Sequence, residues 1–418
     1  MQSQSFINKH KTSAENFTRN RLFTFKNLFL FLCNSLVKST QKELNDFFKV
    51  IYGNELSVKE VGKSAFTKAR KKLSYSAFIE IMDNVNKIYY ENKGHCLWNK
   101  FRLIAIDGTR LKIPVNNETS SYFGKIQTKE NYKSYVLATA SIAYDVLNNI
   151  VIDGLISNNN QGEKSLSYLH LNKLKQGDLI LADRGYPSFY FFKLMMNYSL
   201  DFCIRVKEAE SLVVRDFIAS GSNDKIIELH ANRNSFKNHP DSLLSREPIK
   251  ARLIKVYLDN GNYEILCTSL LDIKLYPYEC FKKLYAYRWL VEEEYKTIKC
   301  RLQLENFSGK SVLSVFQDFY AKCLMSNLTA VMSFALEDEL KMKNKSCTHN
   351  YKICFSQALG KMKNNFLFLF IKKQTMKYLK IIKDMFLEDL GAIRPYRSSN
   401  RNRYVKKSRY HPAYKSNV

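Results

Sequence analysis

The chain has 418 residues, 45% of them hydrophobic, with 66 Lys+Arg against 39 Asp+Glu, a formal net charge of +27. That size and apolar content exclude a disordered chain and suit two or three folded domains of roughly 150 residues each. So large a positive excess repels itself in a folded state, so an anionic partner is expected, nucleic acid ahead of an anionic membrane surface. The most apolar runs, Leu28 to Cys33 and Phe366 to Ile371, fall far short of the ~20 residues that span a bilayer. Residues 1–19 are polar and lack the apolar block of a signal peptide. A cytoplasmic protein without a membrane partner is therefore expected. Nine cysteines, an odd number with no CxxC spacing, argue against a zinc ribbon or a disulfide framework.

Residues 1–97 read as helical. Leu22 to Tyr52 carries Leu, Phe and Val at helical spacing, interrupted by an N-cap signal at Ser39-Thr40. Five basic residues crowd Lys63 to Lys72, and Ala65 and Ala69 would let this helix approach a partner closely. A DNA-contacting helix through Lys68, Arg70 and Lys71 and an ordinary solvated basic face are both open at this point.

After Trp98 the pattern changes. Phe101 to Gly108 reads as a strand ending at Asp107-Gly108. Lys125, Lys129 and Lys133 follow in a polar stretch that reads as a solvated loop. Tyr135 to Tyr144 and Ile150 to Ile156 are two further strands joined by a turn with Asn148-Asn149. Glu163 to Leu174 is a helix, Asp178 to Asp183 a strand ending in an aspartate, and Pro187 to Tyr198 a helix. His170 lies in the first of these helices, without metal-ligand spacing around it. Asp201 to Lys207 is another strand. This order predicts an α/β sheet with two carboxylates at strand ends, where function gathers in such sheets. Residues 208–272 read as a mostly β insertion, with an Asn260-Gly261 hairpin between Ala251–Leu258 and Tyr263–Leu270. Beyond Tyr278 the chain is helical, and its last 28 residues carry eight Lys/Arg, no acid and four tyrosines, the composition of an arm that tracks phosphate or of a solvated tail.

The most informative segment is Tyr285 to Lys299. On one continuous helix of about 100° per residue, Tyr285, Arg288, Glu292, Lys296 and Lys299 fall within an arc of about 80°. One carboxylate is then surrounded by a phenol, a guanidinium and two ammonium groups. An ion-paired surface face would give part of this pattern. Two strand-end aspartates elsewhere in the chain point instead to a metal-dependent phosphoryl-transfer site, where carboxylates hold hard cations and Arg and Lys orient phosphates.

Tyr285, Arg288, Glu292 and Lys299 match the Y-(2)-R-(3)-E-(6)-K signature of transposases of the insertion-sequence-4 group. Ile106-Asp107-Gly108-Thr109 is similar to that family's first aspartate motif, D-G-S/T, and Asp183-Arg184-Gly185-Tyr186 to its second, D-x-G-Y/F. Ser64 to Leu73 resembles an element of its N-terminal domain. The resemblance spans about residues 60–310. It implies a ribonuclease-H-like catalytic core, placed at 98–310 and interrupted by the insertion; the chain's own pattern puts a helical DNA-binding domain at 1–97 and a helical region with a basic tail at 311–418 on either side. It further implies that Asp107, Asp183 and Glu292 ligate two Mg²⁺ or Mn²⁺ ions, and that Tyr285, Arg288 and Lys299 engage transposon-end DNA, with Lys296 on the same face. Cut-and-paste transposition by a bacterial, nucleoid-associated homodimer acting on terminal inverted repeats and target DNA is the expectation. A DNA-binding protein that no longer catalyses, and a nuclease without strand transfer, are the alternatives.

Overall fold

The computed structural model describes residues 3–19, 21–34, 38–92, 94–127, 134–209, 211–240, 242–300, 303–345, 349–371 and 374–392, with the backbone alone for 127, 296–300 and 364. In chain order come helices α1 (Gln4–His10), α2 (Phe25–Cys33), α3 (Thr40–Tyr52), α4 (Lys63–Arg70) and α5 (Ser76–Glu91), then strand β1 (Arg102–Ile113), α6 (Asn117–Phe123), β2 (Lys125–Gln127), β3 (Ser134–Asp145) and β4 (Ile150–Asn158). There follow α7 (Glu163–His170), β5 (Asp178–Ala182), α8 (Phe189–Asn197), β6 (Asp201–Val206), α9 (Leu212–Ala219), β7 (Asp224–Leu229), β8 (Ile249–Tyr257) and β9 (Tyr263–Thr268). The rest is α10 (Cys280–Ala286), α11 (Trp289–Cys300), α12 (Val312–Phe334), α13 (Glu337–Lys345), β10 (Tyr351–Ile353), α14 (Phe355–Ile371), α15 (Thr375–Glu388) and β11 (Leu390–Ala392).

The chain divides into two compact units: 1–92 with 111–138 and 296–418, and 93–110 with 139–295. In the first, α12 packs against α5, α2 and α14. Its start is set by a reciprocal capping box between Ser311 and Ser314. A phenylalanine cluster fills this core, with Phe31 edge-on to Phe47 and Phe66, and Phe29 stacked on Phe78. Arg70 is part of it: the residue is 3% exposed and its guanidinium bonds Gln317, Ser308 and Asp318. Lys68 and Lys71 on the same helix and its end are exposed.

The second unit is built on a sheet. Along the main path β3 neighbours β1, and β5, β6, β9, β8 and β7 follow, while β4 pairs with β3. The β1–β5 and β5–β6 pairs are parallel, whereas β6–β9, β9–β8 and β8–β7 are antiparallel. Strand β5 is Asp178 to Ala182 and is buried throughout, the pattern of a strand covered on both faces. The insertion therefore continues the central sheet. It also contains α9, which the sequence reading missed although Ser211 caps it by accepting from Val214 N.

Three further differences bear on the site. Strand β1 runs through Asp107 to Ile113. Helix α8 starts after Ser188, whose side chain accepts from Phe191 N, and not at Pro187. Residues 285–299 form two helices: α10 ends at Ala286 and α11 begins at Trp289. At the junction Tyr287 N bonds Leu284 O and Arg288 N bonds Tyr285 O, tight three-residue bonds that break the regular winding. The single 80° arc does not survive this break. No single helix among the described residues is long and apolar enough to cross a membrane.

Candidate active site

Strand β1 carries Asp107 beside its parallel neighbour β5, which ends at Ala182, immediately before Asp183. Two adjacent parallel strands thus deliver two carboxylates to the same end of the sheet. Glu292 stands in the first turn of α11. Two tyrosines tie the α10–α11 segment to these strands. Tyr285, at the end of α10, donates its hydroxyl to the backbone carbonyl of Ala182 at 3.2 Å, and Tyr295 donates to the backbone carbonyl of Asp107 at 2.9 Å. Each residue that carries or precedes a strand aspartate is therefore held by the segment that carries the glutamate.

Arg288 lies among all three acids. It is 2% exposed and donates through both terminal nitrogens to Glu292 Oε1, each at 3.1 Å. Its guanidinium also sits 4.2 Å from the ring centroid of Trp289. Burial works against its charge, but Tyr285, Asp183 and Glu292 outweigh that and hold its proton more tightly than usual. Asp107 answers to the same surroundings. Burial pushes its carboxyl up to about 6, opposed by the Gly108 amide and Arg288 and assisted by the charges of Glu292 and Glu163. Arg205 reaches Glu264 at 2.9 Å and Asp183 Oδ1 at 3.7 Å.

Several polar atoms here are buried without a hydrogen-bond partner among the described residues: Asp183 Oδ1, the Tyr186 hydroxyl and Arg288 Nε. Burial, then the charges of Asp107, Glu163 and Asp183, push the Tyr186 phenol well above its ordinary range. Unpaired buried polar atoms are uncommon and gather where a ligand will pair them. The hard oxygen donors of Asp107, Asp183 and Glu292, with an Asp183 oxygen that accepts no hydrogen bond, fit a divalent cation in chemistry. In the present arrangement Glu292 is given to Arg288, and among the described residues no three acidic, His or Cys side chains lie close enough to clasp one ion.

The remaining residues singled out by sequence are placed as follows. Tyr285 is 4% exposed and spent on Ala182, and Arg288 is equally enclosed. In this arrangement both organise the acids from within. Lys296 and Lys299 lie in α11, but their side chains are outside the described residues, as are Lys129, Lys133 and the tail from 393 onward. Sequence reasoning missed Tyr295 and Glu163. Glu163 opens α7 and packs on Gly108 so closely that a Cβ there would meet Glu163 Cγ at 2.3 Å. A carboxylate heading a helix after the Asn158 to Gly162 loop was the available signal.

A family model described as "Transposase DDE domain" matches residues 98–328. The transposase InsG for insertion sequence element IS4, from Escherichia coli, is 23% identical over 288 residues, 67% of this chain and 63% of that protein, so the match spans a little under two thirds of the relative. A solved piggyBac transposase synaptic complex with hairpin DNA is 10% identical with a TM-score of 0.44, over 91% of this chain and 80% of that one. At that score the likeness carries no argument about the present chain. With a family match over more than half its length, spanning both aspartate strands and the glutamate helix, this chain belongs to the DDE transposases.

Proposed function

We propose that the chain is a DNA transposase that cuts the ends of its own insertion element and joins them to target DNA, with Asp107, Asp183 and Glu292 as the catalytic acids. The observation that supports this reading is the buried guanidinium of Arg288, which bonds Glu292 of α11 and feels the charges of Asp107 on β1 and of Asp183 after β5. A ribonuclease-H-like core is supported by the sheet, in which β4, β3 and β1 are followed by the parallel strands β5 and β6.

The three carboxylates would hold two Mg²⁺ or Mn²⁺ ions. Such ions, when bound, polarise the scissile phosphate and lower the pKa of the attacking water or 3′-hydroxyl. The protein's own groups do the rest. Arg288 neutralises part of the repulsion among the acids and keeps Glu292 folded inward. Tyr285 and Tyr295 fix α10 and α11 on the two aspartate strands, so the acids stay within reach of one phosphate. Gly108, without a side chain, leaves room for Glu163 next to Asp107. Exposed Lys68 and Lys71 supply phosphate contacts, with Lys296 and Lys299 as further candidates, whereas Arg70 is committed to Asp318. A homodimer on paired inverted repeats completes the reading.

The test is cleavage of duplex DNA carrying the sequences that flank this gene, with Mg²⁺ or Mn²⁺. Asp107→Asn, Asp183→Asn and Glu292→Gln should each lose cleavage by at least about 10³-fold while still binding the DNA. Full cleavage by any of the three would remove that residue from the site. Cleavage without joining to a target plasmid would leave a nuclease in place of a transposase.

A further inference from the structure

Behind Asp107 lies a chain of buried polar side chains. Asp153 of β4 meets His170 Nδ1 through Oδ2 at 2.7 Å, His170 Nε2 meets Ser141 Oγ at 2.9 Å, and Ser141 of β3 donates to the backbone carbonyl of Asp107 at 3.2 Å. Ser141 and His170 are 0% exposed and Asp153 is 7% exposed. No substrate reaches such a serine, so the trio is not a hydrolytic triad despite its order.

The proton count fixes what it does. A serine hydroxyl has one proton. If that proton goes to His170 Nε2, none is left for the Asp107 carbonyl, which then keeps the Tyr295 hydroxyl but loses Ser141. The Ser141 bond to Asp107 therefore requires a proton on His170 Nε2. Asp153 holds the other ring nitrogen, Nδ1, and so fixes the orientation of the His170 ring. Helix α7 thus braces the first aspartate motif from both ends: Glu163 at its start packs on Gly108, and His170 at its end acts on Asp107 through Ser141.

We propose that Ser141, His170 and Asp153 are positioning residues of the cleavage reaction: the hydrogen-bond chain from Asp153 through His170 to Ser141 fixes the Asp107 carbonyl, and so the direction of its carboxylate. The proposal rests on Asp107 being a catalytic acid. Partners of this kind behind a metal-ligating carboxylate are worth about 10–100-fold in ion affinity or activity.

The experiment measures single-turnover cleavage, Mn²⁺ affinity by electron paramagnetic resonance, and DNA affinity, on the full chain. Ser141→Ala should lower both cleavage and Mn²⁺ affinity about tenfold or more, with DNA affinity unchanged. His170→Gln should do the same, and the double variant should be no worse than the poorer single one, because both break one chain. A merely structural role lowers the melting temperature without moving Mn²⁺ affinity in the folded protein. Wild-type cleavage and Mn²⁺ affinity in a folded Ser141→Ala variant would overturn the proposal, as would independent, multiplying losses in the double variant. Should Ser141→Ala not fold, the decision falls to His170→Gln, and wild-type cleavage and Mn²⁺ affinity in that folded variant would overturn the proposal. Asp107→Asn is run alongside: if it still cuts, the site assignment fails, whereas an inactive Asp107→Asn with an unaffected Ser141→Ala sinks only this inference.

Discussion

Asp107 is held ionised at neutral pH against its surroundings. Its carboxyl titrates near 6 in the folded chain, with burial as the main cause, against 3.8 ordinarily. Above pH 6 it is charged in both folded and unfolded chains, and the burial penalty is felt in full. Between pH 6 and 4 the folded chain gains a proton that the unfolded chain lacks, and the penalty fades. Asp107→Asn should therefore stabilise the protein at pH 7–8 in chelating buffer by about 1–2 kcal/mol, allowing for partial exposure. The gain should vanish near pH 4, and cleavage should be lost throughout. Denaturant melts across this range check it, and a destabilised Asn variant at pH 8 would contradict the burial argument. Tyr295→Phe removes one donor from the Asp107 carbonyl and leaves the ring in place. A loss of about 0.5–1.5 kcal/mol in stability, and a fall in cleavage beyond what that explains, is expected. The three candidate acids could be put forward from sequence because each stands in a short motif. Tyr295 could not, because it meets Asp107 across 188 residues of chain, and no local pattern announces such a contact.

At the scale of elements, α7 is short, yet both of its ends bear on one strand position. Gly108→Ala would drive a Cβ into Glu163 Cγ and Cβ. Glu163 would have to move, so reduced cleavage with a small stability loss is expected, and Glu163→Ala in the same chain should restore part of the rate. Helix α12 binds α4 through a buried pair: Arg70 Nη2 is 3.1 Å from Asp318 Oδ1, with both side chains about 5% exposed or less. Arg70→Met would strip the buried Asp318 carboxylate of its guanidinium partner, leaving the bonds from Ser308, and should cost about 3–5 kcal/mol, measured as a lower denaturation midpoint. Loss of DNA affinity without that destabilisation would return Arg70 to the DNA-contacting set. On the same helix, burial lowers Lys322 to about 8. Its penalty is complete below pH 8, where both states are protonated, and fades towards 10.5, so Lys322→Met should stabilise at pH 7 and much less at pH 10. Element type was readable here from spacing and caps. The α10–α11 break was not, because Tyr287 and Arg288 carry no breaker and the interruption comes from the three-residue bonds at the junction.

For the molecule as a whole, a charge of +27 means that DNA binding should weaken steeply with salt. Affinity for the flanking DNA is expected to fall by about 10³-fold or more between 50 and 200 mM salt, measured by titration, if several phosphates are contacted. A flat response would argue against a phosphate-driven interface. Sequence alone determined the charge and most of the helical and sheet-forming segments, and its motifs put forward the three candidate acids, because these follow from side-chain chemistry, from short local patterns and from periodicities that local backbone geometry imposes. Only the tertiary structure decided that the insertion extends the central sheet, that Arg70, Tyr285 and Arg288 face inward, and that Tyr295 and Ser141 share the carbonyl of Asp107. Burial and hydrogen-bond partnership depend on which strands become neighbours, and strand order is set by the packing of the whole sheet, where residues far apart in the chain compete for the same contacts.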